Sequence, residues 1–155
     1  MSKPDRIRSV LDDSLVGRWS DENLYIGSME AADIIFRSDG TGWTYWSRVG
    51  GSFYVLRFDW QISPEGRLDF RLRRQLSGRW TLHGSAIHHQ VESQHTRDIT
   101  LSVTYAVSTG QDVLGNAAIL LEFDQRLVPG TIGQRFALKT DNGSGEDPTI
   151  SAEKA

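Results

Sequence analysis

Arg74 is the residue whose position in this sequence points most directly to chemistry. It shares alternate positions with four apolar residues, namely Leu68, Phe70, Leu72 and Leu76. In an extended strand, alternate side chains point to one face, so this spacing places the Arg74 guanidinium on the apolar face. A buried guanidinium is costly unless it is paired, and it can hold an anionic head group through two hydrogen bonds. The spacing therefore predicts that Arg74 binds an anionic head group.

Other positions for the Arg74 side chain are compatible with the same sequence. A bulge or a strand end would turn it toward solvent, and Glu122 or an aspartate could pair with it. Tyr45 and Tyr105 also occupy the apolar positions of their strands. Their hydroxyl groups could complete a head-group site, or each could bind a backbone carbonyl. We predict a ligand site formed by Arg74, Tyr45 and Tyr105.

Aromatic side chains are concentrated between residues 43 and 70. Such groups line small-molecule pockets, and they also fill the interior of a small barrel, so both interpretations stay open. Trp46 and Phe53 occupy the opposite alternate positions, which suit an outer face, a partner surface or a bulge. Besides Tyr45, we predict that five aromatic residues of this segment contact a ligand: Trp43, Tyr54, Phe58, Trp60 and Phe70.

Metal binding and common catalytic motifs are not indicated. The histidines are His83, His88, His89 and His95, but His88 and His89 would point to opposite faces of a strand and could not easily bind one ion. The turn at residues 39–42 lacks the Lys-Ser/Thr ending of a phosphate-binding loop, and no serine lies in a nucleophile-elbow pattern. There is no cysteine. We therefore predict no catalytic residue, no metal and no cofactor.

Strands must position these residues, because alternation of period two runs through most of the chain. The clearest run, residues 52–63, is followed by a Pro-Glu-Gly turn and a second run, which predicts an antiparallel hairpin. Before it, runs at residues 32–37 and 43–48 flank a Ser-Asp-Gly turn, which is a strong hairpin signal. Further runs lie at residues 15–20, 98–107, 117–123 and 135–140, with a less regular one at residues 79–90. Together they indicate eight or nine strands joined by short turns. The predicted fold class is all-β, an antiparallel up-and-down barrel of about eight strands.

The two ends of the chain differ in composition from the strands. Residues 1–14 form an N-terminal segment in which Ile7, Val10 and Leu11 could line one face of a short helix. Residues 15–140 form the predicted barrel domain. Residues 141–155 carry almost no large apolar side chain, which predicts a disordered tail.

Charge and apolar content argue against two classes of partner. The net charge of −3 over 155 residues lacks the basic footprint of a nucleic-acid-binding protein. No stretch reaches the roughly 18 apolar residues of a membrane span, and the N-terminal residues lack the apolar run of a signal peptide. We expect a cytoplasmic protein without a nucleic-acid partner.

Leu15-Val16-Gly17-Arg18-Trp19 resembles the Gly-x-Trp that opens lipocalin and lipocalin-like barrels. The sequences at residues 36–42, 58–60 and 66–68 are similar to a pattern of small bacterial lipocalin-like proteins. This resemblance implies that Trp19 packs across the closed end of a barrel, under a basic residue from the last strand. Arg135 is the nearest match for that residue and Lys139 the second. Val103-Thr104-Tyr105 departs from the Thr-Asp-Tyr of the family.

The resemblance and the aromatic residues together favour a binding protein for a small hydrophobic or amphipathic molecule, including an anionic one. The first alternative is a protein-interaction module such as an immunity protein or antidote, which an exposed apolar patch containing Trp46 or Phe53 would support. The second is a barrel isomerase or cyclase that acts on a hydrophobic substrate through Tyr45, Tyr105 and Arg74. We rank the binding protein first.

Overall fold

Alternating apolar and polar residues build this chain into one antiparallel sheet. The computed structural model describes residues 10–22, 24–25, 29–126, 134–143 and 145–150. Its named elements are nine strands: β1 (Gly17–Ser20), β2 (Glu30–Phe36), β3 (Thr41–Arg48), β4 (Ser52–Ile62), β5 (Leu68–His83), β6 (Ala86–Val103), β7 (Tyr105–Gln111), β8 (Ala117–Phe123) and β9 (Arg135–Thr140). They are ordered β6-β5-β4-β3-β2-β1-β9-β8-β7, and each pair of neighbours is antiparallel. The predicted antiparallel, up-and-down arrangement is confirmed.

The turn chemistry of the β2–β3 hairpin explains why the chain reverses there. Gly40 adopts a φ of 87°, which side-chain-bearing residues rarely adopt. The Asp39 carboxylate accepts hydrogen bonds from the backbone N–H and the hydroxyl of Thr41. These bonds hold the pKa of Asp39 below its ordinary value. The Ser-Asp-Gly signal in the sequence therefore marks a real hairpin.

The closed barrel predicted from the sequence is not found, because the sheet has two open edges. Among the described residues, the edge strands β6 and β7 share no hydrogen-bonded ladder. They are nevertheless consecutive in the chain and separated only by Thr104. Thr104 and Asp124 exchange hydrogen bonds at 3.1 Å, which fixes a corner between the two strands. One linking residue cannot form a hairpin, so the sheet curls until its edges meet at this corner.

One face of the curled sheet, called here the inner face, carries the larger apolar core. The Phe36 ring lies at its centre, with ring centroids 5.8 Å from Phe58, 5.1 Å from Trp60 and 5.9 Å from Phe70. Such tilted and edge-to-face arrangements are favourable between aromatic rings. Trp19 is fully buried in the same cluster. The Phe70 ring also lies 6.2 Å from the ring of Phe123 in β8, so ring packing joins strands from both halves of the sheet.

The opposite face, called here the outer face, carries a second and smaller apolar cluster. Phe53, Val55 and Leu76 are buried in it, and Tyr45 and Trp80 pack against them. The hairpin of β5 and β6 covers this cluster, because an extra residue in β6 near Gly78 bends the strand pair. Residues 79–90, predicted as one irregular strand, in fact form the two arms and the tip of this hairpin.

The structure differs from the predicted chain ends where it describes them. The N-terminal helical segment falls mostly on residues outside the described part, and Val10 forms an isolated bridge with Ile62 rather than a helical turn. Residues 145–150 lie against the outer face, with Asp147 and Thr149 buried, although the sequence predicts disorder for residues 141–155. Specific polar contacts hold this segment, and the lack of apolar residues did not reveal them.

Candidate functional site

The side chains of β3 face the opposite way from the prediction. Gly42 pairs with Phe36 and Phe58, which places Gly42 and every second residue after it on the inner face. Trp46 therefore points inward, where it packs against the main core. Trp43 and Tyr45 lie on the outer face. Both of these predicted ligand residues are thus separated from the inner core by the sheet itself.

A bulge also moves Arg74 away from the inner face. Phe58 pairs with Leu72, but the preceding residue of β4, Arg57, pairs with Arg74, so Arg73 is an extra residue in β5. The alternation is reversed at this point. Leu72 remains in the inner core, whereas Arg74 lies on the outer face directly opposite Arg57. The bulge that the sequence left open as an alternative is therefore the observed arrangement.

A cleft of about 260 Å³ on the outer face brings three arginines together. Arg37, Arg57 and Arg73 line it, together with Trp43, Asp59 and the acidic side chains of residues 146 and 147. Arg73 binds Asp59 at 2.5 Å. We call this feature the arginine cleft. Its lining combines guanidinium groups with one indole ring, a combination suited to an anion that has a planar or apolar part.

The chain itself fills one side of the arginine cleft with residues 145–150. Arg57 Nε donates a hydrogen bond of 2.8 Å to the Asp147 carboxylate, whose side chain is only 2% exposed. The Gly145 carbonyl oxygen accepts hydrogen bonds from the Arg37 guanidinium and, at 3.2 Å, from Trp43 Nε1. Asp147 also accepts a hydrogen bond from the backbone N–H of Thr149 at 2.9 Å. A carboxylate is thus bound to the arginines in this structure.

Tyr45 and His89 form a polar pair beside the outer apolar cluster. The Tyr45 hydroxyl lies 2.7 Å from His89 Nε2, and both rings contact Phe53. Burial raises the pKa of Tyr45 to about 12, and burial lowers the pKa of His89 despite the nearby negative charge of Asp147. Both groups are therefore neutral near pH 7. The pair ties the hairpin of β5 and β6 to β3.

The remaining predicted ligand residues do not join Arg74. Phe58, Trp60 and Phe70 are buried in the inner core, and Tyr54 lies half-buried on the same face. Tyr105 is also separate from Arg74. Its hydroxyl donates a hydrogen bond of 2.6 Å to the Asp12 carboxylate, and burial together with this contact raises the pKa of Tyr105 to about 12. The predicted set is thus divided between the two faces, with Arg74, Tyr45 and Trp43 on the outer one.

The residues predicted to be structural have clear local roles in two cases. A Cβ atom at Gly17, where φ is 145°, would lie 2.6 Å from the Thr140 carbonyl oxygen, so only glycine fits there. Trp19 is fully buried, and its indole N–H donates a hydrogen bond of 2.9 Å to Leu15 O. Arg135 pairs in register with Glu122. The second choice, Lys139, instead binds Glu22 at 2.6 Å on the surface.

Arg57 and Asp147 are the residues of the site that the sequence analysis did not select. Arg57 follows Phe53 and Val55 at alternate positions, so it lies on a partly apolar face, as Arg74 does. That shared pattern is a signal for a buried guanidinium. Asp147 precedes Pro148 and Thr149, an order typical of a capped turn. Only the tertiary structure brings these two signals together.

No protein-family model and no curated protein matches this chain. No helix in the described part of the chain is long and apolar enough to cross a membrane. Within the same residues, no group of three or more histidine, cysteine or acidic side chains is arranged to hold a metal ion. The arginine cleft is the candidate site because its guanidinium groups can bind an anion.

Proposed function

We propose that this protein is a binding module that recognises the anionic group of a small amphipathic molecule in the arginine cleft. One observation carries this proposal: the guanidinium groups of Arg37, Arg57 and Arg73 line one cleft together with the Trp43 indole. Like charges held close together repel each other, and an anion beside them offsets that repulsion. The Asp147 carboxylate already plays this part for Arg57.

One aromatic residue of the cleft suits the apolar part of such a ligand. The indole of Trp43 lines the cleft beside the arginines. A head group at the guanidinium groups would thus lie next to an aromatic wall, and aromatic side chains are usual in a small-molecule site.

The lipocalin-like assignment remains part of this proposal. It is supported by the buried Trp19, by the close approach at Gly17 and by the curled antiparallel sheet. The proposed ligand position differs from the barrel interior expected for that family. The interaction-module alternative has less support, because Phe53 is only 2% exposed and Trp46 packs against the core.

A calorimetric titration with matched amphiphiles tests the proposal. Decyl phosphate and decanoate should bind, whereas decanol and decyltrimethylammonium should not, because only the anions can bond to the guanidinium groups. The double variant Arg57→Gln/Asp147→Asn removes both charges of the buried pair together and avoids leaving one uncompensated. Relative to Asp147→Asn alone, it should weaken binding of the anions at least tenfold, since a hydrogen bond to a charged group contributes about 1.5–3 kcal/mol.

The matched control is Arg71→Gln/Asp98→Asn, which removes an exposed ion pair of the same kind from β5 and β6. Its affinity for decyl phosphate should stay within about twofold of the wild type, because exposed pairs of this kind contribute little. Equal binding of decanol and decyl phosphate would contradict anion recognition. Equal loss in both double variants would show that the effect is not specific to the cleft.

A further inference from the structure

The groups that would bind an external anion already hold a segment of the same chain. Arg37, Arg57 and Trp43 all contact residues 145–150. The segment offers a carbonyl oxygen from Gly145 and a carboxylate from Asp147, which are the acceptors that such donors require. An anion bound by Arg57 would have to share the cleft with the Asp147 carboxylate. Two negative charges that both contact Arg57 would lie close together, and they would repel each other strongly in a partly buried site.

We propose that residues 145–150 are an intramolecular ligand of the arginine cleft, and that they dissociate from it when an external anion binds. This inference rests on the proposed function and adds to it a mechanism of control. We call these residues the strap. When the strap is bound, the Asp147 carboxylate occupies the position on Arg57 that the ligand anion would take. The apparent affinity is then reduced in proportion to the fraction of molecules from which the strap has dissociated.

The contacts of the strap are suited to reversible binding. Although Asp147 and Thr149 are buried, the hydrogen bonds that join the strap to the sheet go to the side chains of Arg37, Trp43 and Arg57, whereas strands of the sheet are held by continuous backbone ladders. The Glu146 side chain is 64% exposed and lies 3.5 Å from Arg37, at the range of a weak surface ion pair. Residues 141 and 142, which follow β9, are exposed, whereas Gly143 lies close to the backbone of Phe36 and Gly17. Residues 145–150 belong to neither apolar cluster, so release of the strap beyond Gly143 would leave the sheet and both clusters intact.

Neutralising Asp147 tests the competition directly. Asp147→Asn keeps the size of the side chain and its ability to accept the Thr149 hydrogen bond, but it removes the charge that Arg57 binds. We expect the full-length variant to bind decyl phosphate at least about tenfold more tightly than the wild type. Asp141→Asn, an exposed neighbour with the same change of charge, is the control and should leave the affinity unchanged.

A second variant and a second readout keep the test independent of the stability of Asp147→Asn. Thr149→Lys places a charge at a fully buried position of the strap and should release it while Asp147 and Arg57 are retained. The indole N–H resonance of Trp43, which reports its bond to Gly145 O, should shift in the same way in this variant and in wild type saturated with decyl phosphate. If the affinity for decyl phosphate stays within twofold of wild type in both Asp147→Asn and Thr149→Lys, the proposal that the strap competes with the ligand is overturned.

The same data distinguish failure of the strap from failure of the proposed function. Decyl phosphate that binds wild type and Asp147→Asn equally, but not Arg57→Gln/Asp147→Asn, would refute the strap and support the binding module. If decyl phosphate binds none of these chains, the proposed function fails. A synthetic peptide of residues 141–150 then tests the strap by itself. If the strap binds the cleft, adding this peptide to Thr149→Lys should shift the Trp43 indole resonance. The absence of a shift would refute the strap.

Discussion

Replacing Asp21 by asparagine gives a test of the buried electrostatics of this fold. The Asp21 side chain follows β1 and is only 4% exposed. Its Oδ1 atom accepts a hydrogen bond of 2.7 Å from the backbone N–H of Ala32, and Oδ2 has no hydrogen-bond partner among the described residues. Burial, with smaller contributions from the negative charges of Asp33 and Glu30, raises the pKa of Asp21 to about 6.

The sign of the effect on stability follows from this raised pKa. The unfolded chain ionises Asp21 near its ordinary pKa of 3.8, whereas the folded protein does so at about 6. The proton is bound more tightly in the folded state, so its stabilising contribution is complete below about pH 4 and is lost as the pH rises through about 6. At 1.36 kcal/mol per pKa unit, the loss amounts to about 3 kcal/mol.

Urea unfolding followed by tryptophan fluorescence measures this contribution. Asp21→Asn retains an acceptor for the Ala32 N–H but has no charge to lose. Relative to wild type, its free energy of unfolding should rise by about 1–3 kcal/mol between about pH 4 and pH 8, because the new amide N–H groups take back part of the gain. The exposed Asp141→Asn should show no such change. A difference between Asp21→Asn and wild type that is independent of pH would refute this account of the buried carboxylate.

Three further predictions concern residues that fix the architecture. Trp19→Ala should lower the free energy of unfolding by about 3–5 kcal/mol, because Trp19 is fully buried. Chemical denaturation measures this loss, and a much smaller loss would contradict the buried role of Trp19. Gly17→Ala should lower the free energy of unfolding by about 1–3 kcal/mol, since the added Cβ meets the Thr140 carbonyl and the φ angle is strained for alanine. Thermal unfolding measures this loss, and a midpoint equal to that of wild type would contradict it. Tyr105→Phe should remove about 1–2 kcal/mol with the bond to Asp12. A loss of the same size in an Asp12→Ala background, which lacks the acceptor, would contradict that pairing.

The strands could be predicted from the sequence because each has one face buried over several residues. The run over residues 52–63 corresponds closely to β4. The Ser-Asp-Gly turn before β3 was recognisable because its glycine adopts a positive φ and its aspartate accepts hydrogen bonds from Thr41. β8 and β9 match the predicted runs at residues 117–123 and 135–140. Local patterns such as these depend on a period of two and on turn chemistry, both of which a single sequence contains.

The candidate site was harder to predict because it depends on register. β3 has large aromatic residues on both faces, Trp43 and Tyr45 on one and Trp46 on the other, so alternation alone does not reveal which face is inner. Pairing with β2 decides it. The tail was judged by its lack of apolar residues, but Asp147 is held by an ion pair with Arg57, ninety positions earlier in the chain. Composition contains no information about such a contact.

The extra residue at Arg73 explains how one strand can serve both cores. Without it, Arg74 would keep the alternation of Leu68 and Phe70 and would place a guanidinium among the aromatic rings of the inner core, where charge is costly. Leu76 would point inward too, and the outer cluster would lose a fully buried member. The bulge reverses the alternation once, so that apolar residues face the inner core before it, and Arg74 and Leu76 face outward after it. The same shift places Arg74 opposite Arg57, and the Asp147 carboxylate lies against Arg57 on that face.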